Sequence, residues 1–274
     1  MKKCKPIVAK FGGSSMADAE SVRQVIEIIK LNPDRRIIVV SAPGKNSNYP
    51  EKITDQLLSG NWAEVENRFL KEGQELGWRN VNACLKQAFL DFSYYFDSSD
   101  WRASRGEWLS AKMLADLIGA KFIDAADLIR INLDGSVNEA SYELIRQAVD
   151  NFNGKIVIPG FYGLDTNGKI KTFPRGGSDI TGAIIARSVN AKVYENWTDV
   201  DGVMTHDPRF HREARTLEKI LVDHMIKMAR DGAQVLHPDS LTPVMNTGIP
   251  VVVRNTFNLG SRGTVVITDQ KVQN

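Results

Sequence analysis

The stretch from Ile7 to Ser41 constrains the fold more than any other part of the chain. Ile7 to Phe11 is a short apolar run that stops at Gly12-Gly13. Asp18 to Leu31 follows, with Val22, Val25, Ile26 and Ile29 at helical spacing, and Ser15 with Asp18 reads as a capping box at its start. Pro33-Asp34 ends the helix, and Arg36 to Ser41 (RIIVVS) reads as a buried strand. Two buried strands joined by a crossover helix require a parallel sheet with helices on its faces.

The alternation continues. Residues 51 to 97 read as helical, in three pieces broken near Gly60 and Gly77, with Trp62, Phe69, Trp78 and Phe89 as packing residues. Helices are expected over Ser104–Ile118, Asn138–Phe152 and Ser178–Val189, and around Leu217–Leu221 and Asp223–Arg230. Strands are expected over Ala120–Ala125, Lys155–Ile158, Lys192–Asn196, Pro250–Arg254 and Thr264–Thr268, with Gly163–Gly168 turning between two short strands. The whole reads as one α/β domain of 274 residues with two lobes, about 1–180 and 181–274, and no linker between them.

Composition excludes several classes. Thirty-five basic against 33 acidic residues leave a net charge of +2, which argues against a strongly basic nucleic-acid binder. The only cysteines are Cys4 and Cys84, so neither a disulfide framework nor a cysteine-based zinc site can be built, and a reducing cytoplasm fits. The longest uncharged stretch, Ser240 to Val253, contains two prolines and a glycine and is no membrane span. Lys2, Lys3 and Lys5 precede a strand-like run with no cleavage site, unlike a signal peptide.

Three glycine-bearing loops lie where ligands bind in open α/β sheets, after the carboxyl ends of strands. In the first, Lys10 precedes Gly12-Gly13-Ser14-Ser15, which suits an anion at the next helix N-terminus or serves as a plain strand-to-helix turn. In the second, Arg175 and Asp179 bracket Gly176-Gly177-Ser178, an arrangement that fits either a zwitterionic amino acid or a helix-capping ion pair. The third, Thr198-Asp199-Val200-Asp201-Gly202 with Asp207-Pro208-Arg209 beyond it, can hold a ribose, a phosphate or a metal-bound water, or be ordinary turn chemistry. No P-loop, Rossmann fingerprint, nucleophile elbow, protein-kinase signature or H-E-x-x-H occurs.

In order, the segments VAKFGGSS (8–15), VVSAPG (39–44), ITDQLL (53–58), SRGEWLSA (104–111), IPGFYG (158–163), RGGSD (175–179), WTDVDGVMTHDPR (197–209), GAQVLHP (232–238) and RNTFN (254–258) resemble those of aspartate kinases, within the amino acid kinase family. The resemblance implies a three-layer αβα sandwich around a mostly parallel sheet. It also implies ATP-dependent phosphorylation of the β-carboxylate of L-aspartate, with Mg2+ accompanying ATP and no metal site of the protein's own. By position, Lys10 with the N–H groups of Gly12 and Gly13 would stabilise the transferring phosphoryl group, and Ser41, Thr54 and Ser178 would hold substrate. Glu107 and Asp179 would face its ammonium and Arg175 its α-carboxylate. Lys10, Gly13, Ser14, Thr198, Asp199, Met204, Asp207, Arg209 and Gln234 would line the nucleotide site.

A carboxylate is already a nucleophile, so alignment and charge stabilisation suffice and no catalytic triad is needed. The sequence departs from the family pattern at Pro174, usually glycine, at Met204, commonly tyrosine, and at Gln234, commonly lysine. Aspartate kinases continue past R-N-T-F-N into regulatory ACT domains, whereas the sequence stops at Asn274. The expectation is therefore a catalytic domain without ACT domains, acting as a homodimer, with any control in a separate regulatory chain. A kinase for another amino acid and a non-catalytic ligand-binding homologue are the competing readings.

Overall fold

The computed structural model describes residues 5–90, 97–174, 176–206, 214–230, 236 and 238–268. Strand β1 (Ile7–Phe11) lies at the centre of an eight-stranded sheet. It pairs in parallel with β2 (Arg35–Val40) on one side and with β7 (Val193–Thr198) on the other. Beyond β2 come β4 (Ile156–Pro159) and β3 (Lys121–Phe122). Beyond β7 come β9 (Val251–Asn255), β10 (Thr264–Ile267) and β8 (Lys219–Leu221). All pairings in this sheet are parallel except β9 with β10. A separate antiparallel hairpin, β5 (Tyr162–Leu164) and β6 (Ile170–Thr172), flanks the turn expected at Gly163–Gly168.

Side chains of a strand alternate between faces, so β1 feeds two cores. Ala9 and Phe11 belong to one core, with α1 (Ala19–Leu31), α3 (Trp62–Leu76), α4 (Val81–Leu90) and α5 (Ser99–Ile118). Val8 belongs to the other, with α7 (Ala140–Asp150), α8 (Gly177–Ser188) and α9 (Val222–Arg230). These two helical layers around one sheet are the expected αβα sandwich. Short helices α2 (Ile53–Ser59) and α6 (Ala125–Leu128) complete the described α-helices. Among described residues, no helix is long and apolar enough to cross a membrane.

The breaks expected near Gly60 and Gly77 fall at left-handed residues that end α2 and α3. Other expectations are corrected. Residues 219–221 form a strand, not a helix, because Ile220 is buried where β8 pairs with β10 at the sheet edge. The strand expected over Ala120–Ala125 shrinks to two residues, since Asp124 caps α6 by accepting the Ala126 N–H. Helix α5 begins five residues before Ser104, where the Ser98 hydroxyl accepts the Trp101 N–H. No capping box forms at α1. Asp18 alone caps it through the Ser21 N–H, while the Ser15 hydroxyl is buried 2.7 Å from that of Thr256.

Candidate active site

Lys10 shares the face of β1 that Val8 occupies and sits near its carboxyl end, opposite Val39 of β2 and Asn196 of β7. A lysine so placed is nearly surrounded by protein and needs an anion. Asp179 supplies it, with its Oδ1 2.6 Å from Lys10 Nζ. Asp179 lies in the first turn of α8 and is held from β7, where Asn196 donates to Oδ1 at 2.7 Å and Tyr194 donates to its carbonyl at 3.0 Å. Three elements therefore hold this buried charge pair at the N-terminus of α8, which itself favours an anion.

The loop after β2 closes the other side. The Ser41 N–H donates to Phe11 O at 3.1 Å and the Gly44 N–H to Gly13 O at 2.8 Å. Gly44 must lack a side chain, because a Cβ there would lie 2.7 Å from the Gly13 carbonyl carbon. Helix α5 approaches the same loop through Gly106 and delivers Glu107 behind it. The Glu107 carboxyl accepts the Ala42 N–H, yet burial pushes it up to about 8 despite Lys10 and Arg105 nearby. Its Oε2 is buried without a hydrogen-bond partner. A buried carboxyl oxygen without a partner is costly unless a ligand completes it, and a ligand ammonium would do so by favouring the ionised form.

These parts enclose a cleft of about 450 Å3. Of the residues expected to act, Lys10, Gly13, Ser41, Thr54, Glu107, Ser178 and Asp179 all line it. Lys52, Asp55, Phe161 and Phe173 line it too and were not expected. Phe161 carries φ +81, a conformation side chains rarely adopt, held as its N–H donates to Thr181 and its carbonyl accepts from Phe173.

One expected role is corrected. The Gly12 N–H donates to Trp197 O at 3.0 Å, so it knits β1 to β7 and is not offered to the cleft. Asp179, expected to face a substrate ammonium, lines the cleft and pairs with Lys10 through Oδ1. Ser14 is half-buried at the start of the turn Ser14–Met16. Thr198 ends β7 one residue beyond Trp197, the register partner of Phe11. Its hydroxyl donates to the exposed Asp199 carboxylate at 3.1 Å. Met204 bridges to Thr216, whose hydroxyl lies 3.4 Å from its sulfur. None of these four lines the cleft around Lys10. Arg175, Asp207, Arg209 and Gln234 lie outside the described residues. Among described residues, no group of three acidic, histidine or cysteine side chains could hold a metal.

The sequence profile of the amino acid kinase family matches residues 5–255. The chain belongs to the amino acid kinase family. This amino acid kinase is 32% identical to aspartokinase 3 of Bacillus subtilis over 288 residues, covering 95% of this chain and 63% of the relative. The crystal structure of Clostridium acetobutylicum aspartate kinase superposes with a TM-score of 0.91 at 38% identity, covering 98% of this chain and 64% of that one. E. coli aspartokinase III, solved in complex with aspartate and ADP, superposes with a TM-score of 0.85 at 26% identity, covering 98% of this chain and 66% of that one. The chain thus spans a little under two thirds of each of these relatives.

Proposed function

We propose that this protein transfers the γ-phosphoryl group of ATP to the β-carboxylate of L-aspartate, forming 4-phospho-L-aspartate and ADP. The observation that carries the reading is the pairing, in one cleft, of a buried cation at the head of a glycine loop with a buried, uncompleted carboxyl group. Lys10 meets charge that develops on the phosphoryl group, and the unpartnered Glu107 Oε2 receives an ammonium. The similarity to aspartokinases, one of them solved with aspartate and ADP, supports the choice of amino acid.

The chemistry is economical. A carboxylate oxygen of the substrate attacks the γ-phosphorus, the bond to the β-phosphate oxygen breaks, and ADP leaves carrying that charge. No proton need move from the nucleophile, so the protein's work is alignment and charge stabilisation. Ser41, Thr54 and Ser178 supply hydroxyls around the carboxylates, and Arg175 the fork for the α-carboxylate. ATP arrives as its magnesium complex beside the loop after β7, with Ser14, Thr198, Asp199, Met204, Asp207, Arg209 and Gln234 toward it. In this reading residues up to about 180 hold the amino acid and the later ones the nucleotide. The enzyme works in the cytoplasm as a homodimer at the first step toward lysine, threonine and methionine.

A coupled assay for ADP release with aspartate, glutamate and related acids tests the proposal. Turnover with aspartate and ATP is expected. Turnover confined to another acid would reassign the substrate, and none with any acid would favour a ligand-binding protein.

A further inference from the structure

Arg68 stands in the middle of α3, behind the cleft, with its side chain almost wholly buried. One guanidinium nitrogen, Nη2, donates to two carbonyls at once, Ala17 at 2.7 Å and Gly44 at 2.9 Å. Ala17 closes the turn Ser14–Met16 that follows the first glycine loop. Gly44 belongs to the loop after β2 and donates to the Gly13 carbonyl, which also accepts the Met16 N–H. Asn46 reinforces the junction by donating to Ala17 O at 2.8 Å and to Asp18 Oδ2 at 3.1 Å. Arg68 Nε is fixed by Glu72 Oε1 at 2.9 Å, and the Tyr49 ring covers the guanidinium at 4.3 Å.

This is an expensive arrangement for a helix that only packs. Arg68 Nη1 and Glu72 Oε2 are both buried without a hydrogen-bond partner. Burial also pushes the Glu72 carboxyl up to about 7, against the pull of Arg68. Apolar side chains of similar volume would hold α3 at no such cost. They could not join two carbonyls from loops that follow different strands.

We propose that Arg68 is a positioning residue for phosphoryl transfer, locking the loop after β1 to the loop after β2 and so fixing the Gly13 backbone at the cleft. The inference rests on reading the cleft as a phosphoryl-transfer site. Arg68 does not itself line the cleft and acts through the carbonyls of Ala17 and of Gly44, a residue of the cleft wall. Lysine offers one ammonium in place of the fork and cannot hold Glu72 and both carbonyls in the same geometry.

The test compares the whole protein with Arg68→Lys and Arg68→Ala, each checked by thermal melting. A displacement of about 1 Å at a reacting group can cost about 10²-fold in rate. Both variants are expected to lose about that much kcat, with the aspartate KM nearly unchanged, the signature of a lost transition-state alignment. Added methylguanidinium is expected to restore part of the rate of Arg68→Ala and none of that of Arg68→Lys. Amide exchange is expected to accelerate in peptides covering residues 12–17 and 43–49, and not in residues 251–255. Should Arg68→Ala fail to fold, Arg68→Lys decides. A wild-type kcat in the folded variant, or unchanged exchange in both loops, overturns the inference. If the wild-type protein itself shows no turnover, the functional reading falls, and the exchange measurement still judges whether Arg68 locks the loops.

Discussion

Lys10 Nζ and Asp179 Oδ1 stand 2.6 Å apart, joining the central strand to the first turn of α8. Asp179 keeps a second hold on β7 through Asn196, so removing the lysine does not release the helix. Lys10→Ala is therefore expected to fold and to lose rate, not substrate affinity. Loss of one preorganised donor at developing charge typically costs about 10² to 10³ in rate. Steady-state kinetics with aspartate and ATP provide the check, and near-normal turnover would remove Lys10 from the chemistry.

Glu107 links stability to pH. Its carboxyl is raised from an ordinary 4.5 to about 8, chiefly by burial. Between those values the folded protein binds a proton that the unfolded chain has released, so stability falls as pH rises through the window. The contribution is whole below about 4.5 and gone above about 8. Glu107→Gln keeps the shape and removes the titration. Its stability relative to wild type should rise steadily from pH 4.5 to pH 8 in urea denaturation. Parallel curves would show that Glu107 ionises in the fold as it does in water. Glu72, raised to about 7, contributes to both proteins alike and cancels in the difference.

Gly44→Ala tests the contact between the two loops. The new Cβ would meet Gly13 backbone atoms at 2.7 and 2.8 Å, which backbone cannot yield cheaply. Overpacking of this kind costs about 1–3 kcal/mol. Here it should also lower kcat, because Gly13 lines the cleft. Gly60→Ala is the control. A Cβ there meets nothing, but φ +83 is strained for alanine. It should cost about 1 kcal/mol in stability and leave the rate alone.

Glu195 binds Arg35 through both oxygens, at 2.6 and 3.1 Å, and lies 3.5 Å from Arg254. The Trp197 indole N–H completes it at 3.0 Å. Glu195→Gln removes the charge and leaves Arg35 buried without a counter-ion. Breaking such a pair costs about 3–5 kcal/mol, to be read from chemical denaturation. A small loss would mean that the Trp197 face, 5.2 Å from the Arg35 guanidinium, and the Ile28 carbonyl satisfy it alone.

The parts of the site legible in the sequence were those with a local signature. Lys10 and Gly13 belong to a glycine turn after an apolar run, and Ser178 and Asp179 open a helix after glycines, so chain order alone places them at sheet ends. Phe161 had no such mark. Its strained backbone arises from a bond to Thr181 and another to Phe173, both made by folding. The Gly12 N–H looked free because nothing nearby in sequence announces the Trp197 carbonyl. Arg68 has no local mark either, since its two carbonyl partners come from loops on other strands. The misread segment at 219–221 shows the same limit, since its pairing with β10 outweighs local spacing.

The position of β1 also bears on how the chain is made. Of the two neighbours of Phe11, Val40 is translated soon after it and Trp197 far later. At about 5–20 residues per second, one hydrogen-bonding edge of the first strand stays open for about 10 to 40 s on the ribosome. Through that interval the strand that carries Lys10 keeps one apolar edge unpaired, and a nascent chain arrested before Val193 should be a substrate for chaperones that bind extended hydrophobic segments.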